Sequence, residues 1–302
     1  MRRDEPLVVE VALNGVASKA VNPAVPVEPD QLLADMLACL DAGASIAHQH
    51  DAVGPDGDSD TMAAMSLELY RSVLAVHPDA ILYPAVTWGP TLPDRWAHHE
   101  VLAAEGVLRT CFVDPGSVNL ATLDDEGVVA PSDFVYRHTP AEIRWWFAQC
   151  DRLGLAPNMS IFEPGFLRVA LAYERAGRLA PGAYVRFYFG GGEYLIARPG
   201  PFSFGMPPLE PCLDAYLAML DGSDLPWFVA VLAGDCVGSG MARLAIERGG
   251  HVRVGLEDAA GARSATNVEL VAEVVELAAA LGRRVATPAE AADLFGIPPI
   301  EG

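Results

Sequence analysis

Short apolar runs and longer amphipathic stretches alternate along the chain. The runs at 7–13 (LVVEVAL), 44–50 (ASIAHQH), 80–86 (AILYPAV), 108–114, 158–162, 184–190, 227–233 and 251–257 are nearly continuous in apolar character. Runs of that length and composition predict strands covered on both faces. The intervening segments, near 29–42, 60–77, 93–105, 139–153, 164–178, 207–220, 238–249 and 266–282, place apolar residues three and four apart. That spacing predicts helices. EPDQLLADMLACLDAG shows the pattern well, with acids in its first turn and Gly43 to stop it. Residues 287–296 predict a short closing helix. Eight strand–helix units in 302 residues predict an α/β fold of the (β/α)8 TIM barrel type. An open doubly wound sheet is the alternative, but GGGEY (190–194) lacks the glycine spacing of a dinucleotide loop. No low-complexity linker interrupts the pattern, so residues 1–302 are expected to form one barrel domain with a short C-terminal helix.

Charge narrows the partners. Twenty Lys and Arg against forty Asp and Glu give a net charge of −20. Such a surface repels nucleic acid and anionic membranes, and an anionic substrate would need a local cation. The five cysteines are scattered without zinc-ribbon or redox spacing, which suits a reducing compartment. The N-terminus does not read as a signal peptide, and no apolar run approaches the roughly 20 residues of a membrane helix. The expectation is a cytoplasmic, soluble protein.

In such a barrel, reactive groups gather at the C-terminal ends of the strands. His48 and His50 end the second predicted strand, and a spacing of two puts both side chains on one face. Two imidazoles there suit a divalent transition metal such as zinc, although ordinary packed or solvated histidines are the plainer reading. A third ligand changes the balance. In GGHVRVGLED (249–258), Val252, Val254 and Leu256 alternate with Arg253, Gly255 and Glu257. A strand running through 257 would turn Glu257 into the barrel mouth. Two histidines and a carboxylate leave a coordination position open. The plainer reading of Glu257 is a helix N-terminal or salt-bridging acid. His98-His99-Glu100 is a rival cluster, expected on a solvated helix surface because adjacent helical residues do not share a face. His77, His138 and His251 have no visible partners in the sequence, and His251 lies at the wrong end of its strand for chemistry.

These residues carry a family resemblance. ALNG (12–15), NPAVP (22–26), AGASIAHQH (42–50), DPGSVN (114–119), GGHVRVGLED (249–258) and GRRVATPAEA (282–291) stand in the order found in the β-keto acid cleavage enzymes. That family includes 3-keto-5-aminohexanoate cleavage enzyme, and the similarity covers nearly the whole chain. GGHVRVGLED together with His-x-His is the specific part, and NPAVP supports it. The resemblance implies a TIM barrel holding zinc on His48, His50 and Glu257. It implies a retro-Claisen reaction with acyl transfer, in which a β-keto acid and acetyl-CoA give acetoacetate and a new CoA ester. Breaking a carbon–carbon bond beside a ketone needs stabilisation of a developing oxyanion or enolate, which a Lewis acid supplies. Arg253 and Asp258 match a family arginine and aspartate, expected to orient the acid and to transfer a proton. Strict strand parity puts those two on opposite faces, so a bend at the strand end is expected. Thr87 is expected to stand in for a family serine, and Asn14, Lys19, Ser117, Asn119 and Trp88 are expected at the substrate. The resemblance also implies a homo-oligomer.

The chain departs from the family around the site. The common His-x-His-Val-Arg continues here as HDAVG, with Asp51 and Ala52 and no arginine. A Ser-Thr-Gly-Gly type loop is replaced by PAVTWGP, which adds Trp88. A Pro-Glu-x-Glu pattern on strand five becomes PNMSIFEPG, with Asn158 and Ser160 at the acid positions and Glu163 shifted. The loop NGVASKAVNP lacks the family's acid but keeps Lys19. The stretch 187–208, rich in Gly, Pro and aromatic residues, is expected to line or cover the pocket or to serve in packing. These changes allow a different β-keto acid or acyl acceptor, or a related carbon–carbon lyase or hydrolase reaction. An amidohydrolase barrel is disfavoured because no histidines end strands five and six. A non-catalytic metal-holding barrel is the remaining alternative.

Overall fold

The computed structural model describes residues 5–50, 58–87, 89–192, 194–195, 198–199 and 205–300. Eight parallel strands form its centre: β1 (Val9–Ala12), β2 (Ile46–Gln49), β3 (Ile81–Pro84), β4 (Thr110–Val113), β5 (Ala156–Ile161), β6 (Tyr184–Gly190), β9 (Trp227–Leu232) and β10 (His251–Val254). Their hydrogen-bonded order is β3-β2-β1-β10-β9-β6-β5-β4, and β3 lies beside β4 without a ladder to close the ring. Two-residue strands β7 (Tyr194–Leu195) and β8 (Arg198–Pro199) pair antiparallel outside the barrel. Every residue of β1 to β5 is buried, as strands covered on both faces require.

Around the strands lie α1 (Pro29–Asp41), α2 (Ser59–Leu74), α3 (Leu92–Ala104), α4 (Pro140–Leu153), α5 (Pro164–Arg175), α6 (Glu210–Met219), α7 (Met241–Arg248) and α9 (Asn267–Ala280). The final helix, α10 (Pro288–Phe295), falls where the sequence predicts it. Four of these begin at a threonine with an acid three residues on: Thr91 with Asp94, Thr139 with Glu142, Thr266 with Glu269, and Thr287 with Glu290. In each, the hydroxyl accepts from the third helical amide while the carboxylate takes the amide of the threonine, so free donors at both positions are satisfied. Among the described residues no helix is long and apolar enough to cross a membrane.

The structure corrects two expectations. The last barrel strand ends at Val254, not at 257. Gly255 turns the backbone with φ 143°, and residues Leu256–Ala259 form a short helix, α8. A Cβ on Gly255 would lie 2.0 Å from the Ala12 carbonyl oxygen, so the turn needs glycine for both conformation and space. His98 and His99 are also not solvated. Both are fully buried; His98 Nε2 sits 2.8 Å from the Ala85 oxygen, and His99 stacks on Trp96 with ring centroids 4.9 Å apart. The reason is that α3 packs its apolar stripe beside the β3–β4 seam, and both rings fill that layer. His251 is buried at the opposite end, where its Nδ1 accepts from the Val8 amide at 3.0 Å. His77 pairs with Asp41 at 3.1 Å.

Two outcomes follow from this packing. Gly255→Ala should cost about 2–5 kcal/mol of stability, because a methyl there meets backbone in a conformation disfavoured for L residues; an unchanged urea midpoint would contradict the account. Burial also pushes His98 down to about 4 and lowers His99, His138 and His251, so each is neutral in the fold and takes a proton on unfolding. Stability should therefore be complete above the ordinary histidine value of about 6.5 and be lost as pH falls toward 4. Urea melts at pH steps between about 7 and 5 check this, and a flat profile there would be inconsistent with it.

Candidate metal centre and active site

His48 lies within β2 and His50 directly after it, while Glu257 sits in the first turn of α8. The Nε2 of His48 is 3.3 Å from Glu257 Oε2, and the Nε2 of His50 is 3.6 Å from Oε1. One ligand atom from each of the three falls within 4.8 Å of the others, and this is the one such trio among the described residues. Donors at 2.0–2.1 Å from a tetrahedral zinc stand about 3.3 Å apart, so the spacing fits a metal. A second observation agrees: Glu257 Oε2 is buried and receives no hydrogen bond.

The imidazoles are prepared as ligands. His48 Nδ1 lies 3.0 Å from the Tyr83 carbonyl oxygen, which places its proton on Nδ1 and leaves the Nε2 lone pair toward Glu257. Its ring stacks on that of Tyr83, centroids 4.4 Å apart. Burial lowers the His48 pKa well below its usual range despite the pull of Glu257, so the ring is neutral. For Glu257, burial pushes the pKa up, but the Arg253 guanidinium beside it holds it well below the usual carboxylate range.

Arg253 is buried at the centre of a charged network. Its Nε donates to Asp258 at 2.9 Å, its Nη2 lies 3.0 Å from Glu257, and its Nη1 donates to Glu10 at 3.2 Å. Glu10, fully buried on β1, also accepts from Arg186 Nη2 at 2.7 Å and from the Tyr83 hydroxyl at 2.6 Å. The bend at Gly255 brings Asp258 back over Arg253 and so removes the parity conflict in the sequence. Burial raises Asp258 to about 6 against the opposing pull of Arg253. Sequence reasoning missed Glu10, Tyr83 and Arg186. The signal was present: LVVEVAL and YVRFYFG each carry one charge inside an otherwise apolar strand, and such a charge needs a partner across the barrel.

The other expected residues scatter. Asn14 does reach the trio, donating from Nδ2 to the His50 carbonyl at 2.7 Å and accepting from the His50 amide at 2.8 Å. Thr87 is buried three residues past β3, with its amide bonded to the Arg95 carbonyl. Lys19 is exposed and donates to the Val25 carbonyl within its own loop. Ser117 is exposed and bonds the backbone of His138, and Asn119 is exposed. Trp88, Asp51 and Ala52 lie outside the described residues, as does much of 193–204. On β5, Asn158 accepts from Arg186 at 3.5 Å and Ser160 is buried. Glu163 Oε1 accepts from the Gly205 amide, which ties it to the chain after β8.

The protein is thus a nearly closed (β/α)8 barrel with a His-His-Glu trio at the C-terminal end of its strands. The sequence of this chain matches the model of the beta-keto acid cleavage enzyme family over residues 6–297, and the protein belongs to that family. It is 27% identical to a 3-keto-5-aminohexanoate cleavage enzyme of Acetoanaerobium sticklandii, over 97% of this chain and 99% of that one. It is 28% identical to a 3-oxoadipate:acetyl-CoA acetyltransferase of Cupriavidus necator, over 98% and 97% respectively. Among solved structures, ObcA in ternary complex with a C4-CoA adduct and oxalate superposes with a TM-score of 0.61 at 18% identity, covering 91% of this chain and 68% of that one; the likeness is one of fold.

Glu10→Gln leaves two buried arginines short of a counter-charge and should cost about 3–5 kcal/mol in urea melts. Glu10→Gln combined with Arg186→Met should cost less than Glu10→Gln alone, because the uncompensated cation is gone. A double variant as damaged as the sum of its singles would show that the pair is not coupled.

Proposed function

We propose that this protein is a zinc-dependent enzyme that cleaves a β-keto acid by retro-Claisen chemistry with acyl transfer. The keto acid and acetyl-CoA would give acetoacetate and the CoA ester of the remaining acyl group. The observation that supports this reading is the convergence of His48, His50 and Glu257 at the catalytic end of the barrel, in a member of this family. When bound there, a zinc ion would supply Lewis acidity toward the ketone oxygen.

The chain's own residues do the rest. His48, neutral and oriented by the Tyr83 carbonyl, offers one nitrogen, and His50 offers the second. Arg253 keeps Glu257 ionised, so the third ligand carries its charge. The rings of Tyr83 and Phe112 flank His48 and keep water from that side. Asp258, next to Glu257 in sequence and held by Arg253, is the group to which this reading gives the proton transfer. Strand five presents an amide and a hydroxyl where the family pattern has acids, which favours a keto acid other than the familiar amino acid substrate.

Purified protein should carry about one zinc per chain, and the His48→Ala/His50→Ala double variant should lose it. A panel of β-keto acids with acetyl-CoA should then yield acetoacetate from at least one member. Full zinc in the double variant would sink the site. Bound zinc with no turnover of any member would move the reading to a related lyase or hydrolase, or to a non-catalytic barrel.

A further inference from the structure

Three consecutive residues after β1 each touch a different member of the trio. The Leu13 amide donates to the His48 carbonyl at 2.9 Å. The Asn14 side chain closes a two-bond ring on the backbone of His50, at 2.7 and 2.8 Å. Gly15, with φ +53°, lies so close to Glu257 that a Cβ there would be 2.4 Å from its Cγ and 3.2 Å from its Cα. The turn itself is anchored from behind, where Asn267 Nδ2 donates to the Leu13 carbonyl at 2.8 Å.

Resting on the metal reading above, we propose that Leu13-Asn14-Gly15 is the element that assembles the metal site, and that Asn14 is a positioning residue for His50 rather than a substrate contact. The physical need is plain. β2 ends at Gln49, so no strand ladder holds the backbone of His50. Its side chain is the most exposed of the three, at 31%. The Asn14 amide supplies the donor and the acceptor that a further ladder position would have supplied, and both of its polar groups are used in doing so. Glu257 comes from the other end of the chain, on a helix of four residues, and Gly15 is where that helix meets the turn. A side chain at 15 would push Glu257 at its backbone as well as its tip.

The test is metal affinity measured by competition with a chromogenic chelator, together with the visible absorption spectrum of the cobalt-substituted protein. Asn14→Ala should weaken zinc binding by about 10- to 100-fold and alter the cobalt spectrum, as loss of a group that orients a ligand does. Gly15→Ala should weaken it as well, through Glu257 and without touching Asn14. Melting of the metal-free variants shows whether the fold is intact; the expectation is a loss of affinity larger than any loss of metal-free stability explains. Wild-type affinity and spectrum in both folded variants would overturn the proposal, as would a raised KM for the keto acid with unchanged zinc affinity in Asn14→Ala. A wild-type protein that binds no divalent cation would defeat the metal reading itself, and this inference with it.

Discussion

A guanidinium cannot stay charged in a dry barrel interior without anions around it, and Arg253 has three. Glu10 meets it from β1, Glu257 and Asp258 from α8. An unpaired charge at that depth costs several kcal/mol, so each carboxylate is held where the guanidinium needs it. The ligand Glu257 is thereby kept ionised and aimed. The same demand explains why Arg186 and the Tyr83 hydroxyl crowd onto Glu10 from the other side. Two cations face three carboxylates, and a divalent cation on the trio would turn the local excess from negative to positive.

The His48-His50-Glu257 trio and the charge network meet in Tyr83. Its carbonyl sets the tautomer of His48, its ring stacks on that histidine, and its hydroxyl lies among Glu10, Arg186 and Arg253. Burial pushes the Tyr83 hydroxyl well above its usual pKa, so it remains a donor. Tyr83 is thus in direct contact with both His48 and the buried charges.

Around this network the polar side chains are engaged with their neighbours. The amide of Asn158 joins Thr110 and Arg186, and Glu163 is spent on the backbone of Gly205. Ser117 likewise ties down the long excursion between β4 and α4 by bonding His138. Of the residues expected at the substrate, Ser117 bonds the backbone of His138 and Asn14 bonds the backbone of His50.

The barrel was legible in the sequence because eight apolar runs separated by amphipathic helices need a sheet buried on both faces. The two histidines were legible because alternate residues of a strand share a face. Glu257 does lie beside the two histidines, but by a different geometry from the one periodicity predicts: periodicity carries the strand to 257, whereas a glycine turn at 255, packed against the backbone of Ala12, starts a helix there. No local pattern records that contact, since it joins residues more than two hundred positions apart. Nor does any local pattern record the pairing of Glu10 with Arg186, of Asn14 with His50, or the burial of His98 and His99. Residue type and spacing decide which face of an element a side chain takes. Only the assembled barrel decides which charge it meets there, because the partners come from strands that are neighbours in space and strangers in sequence.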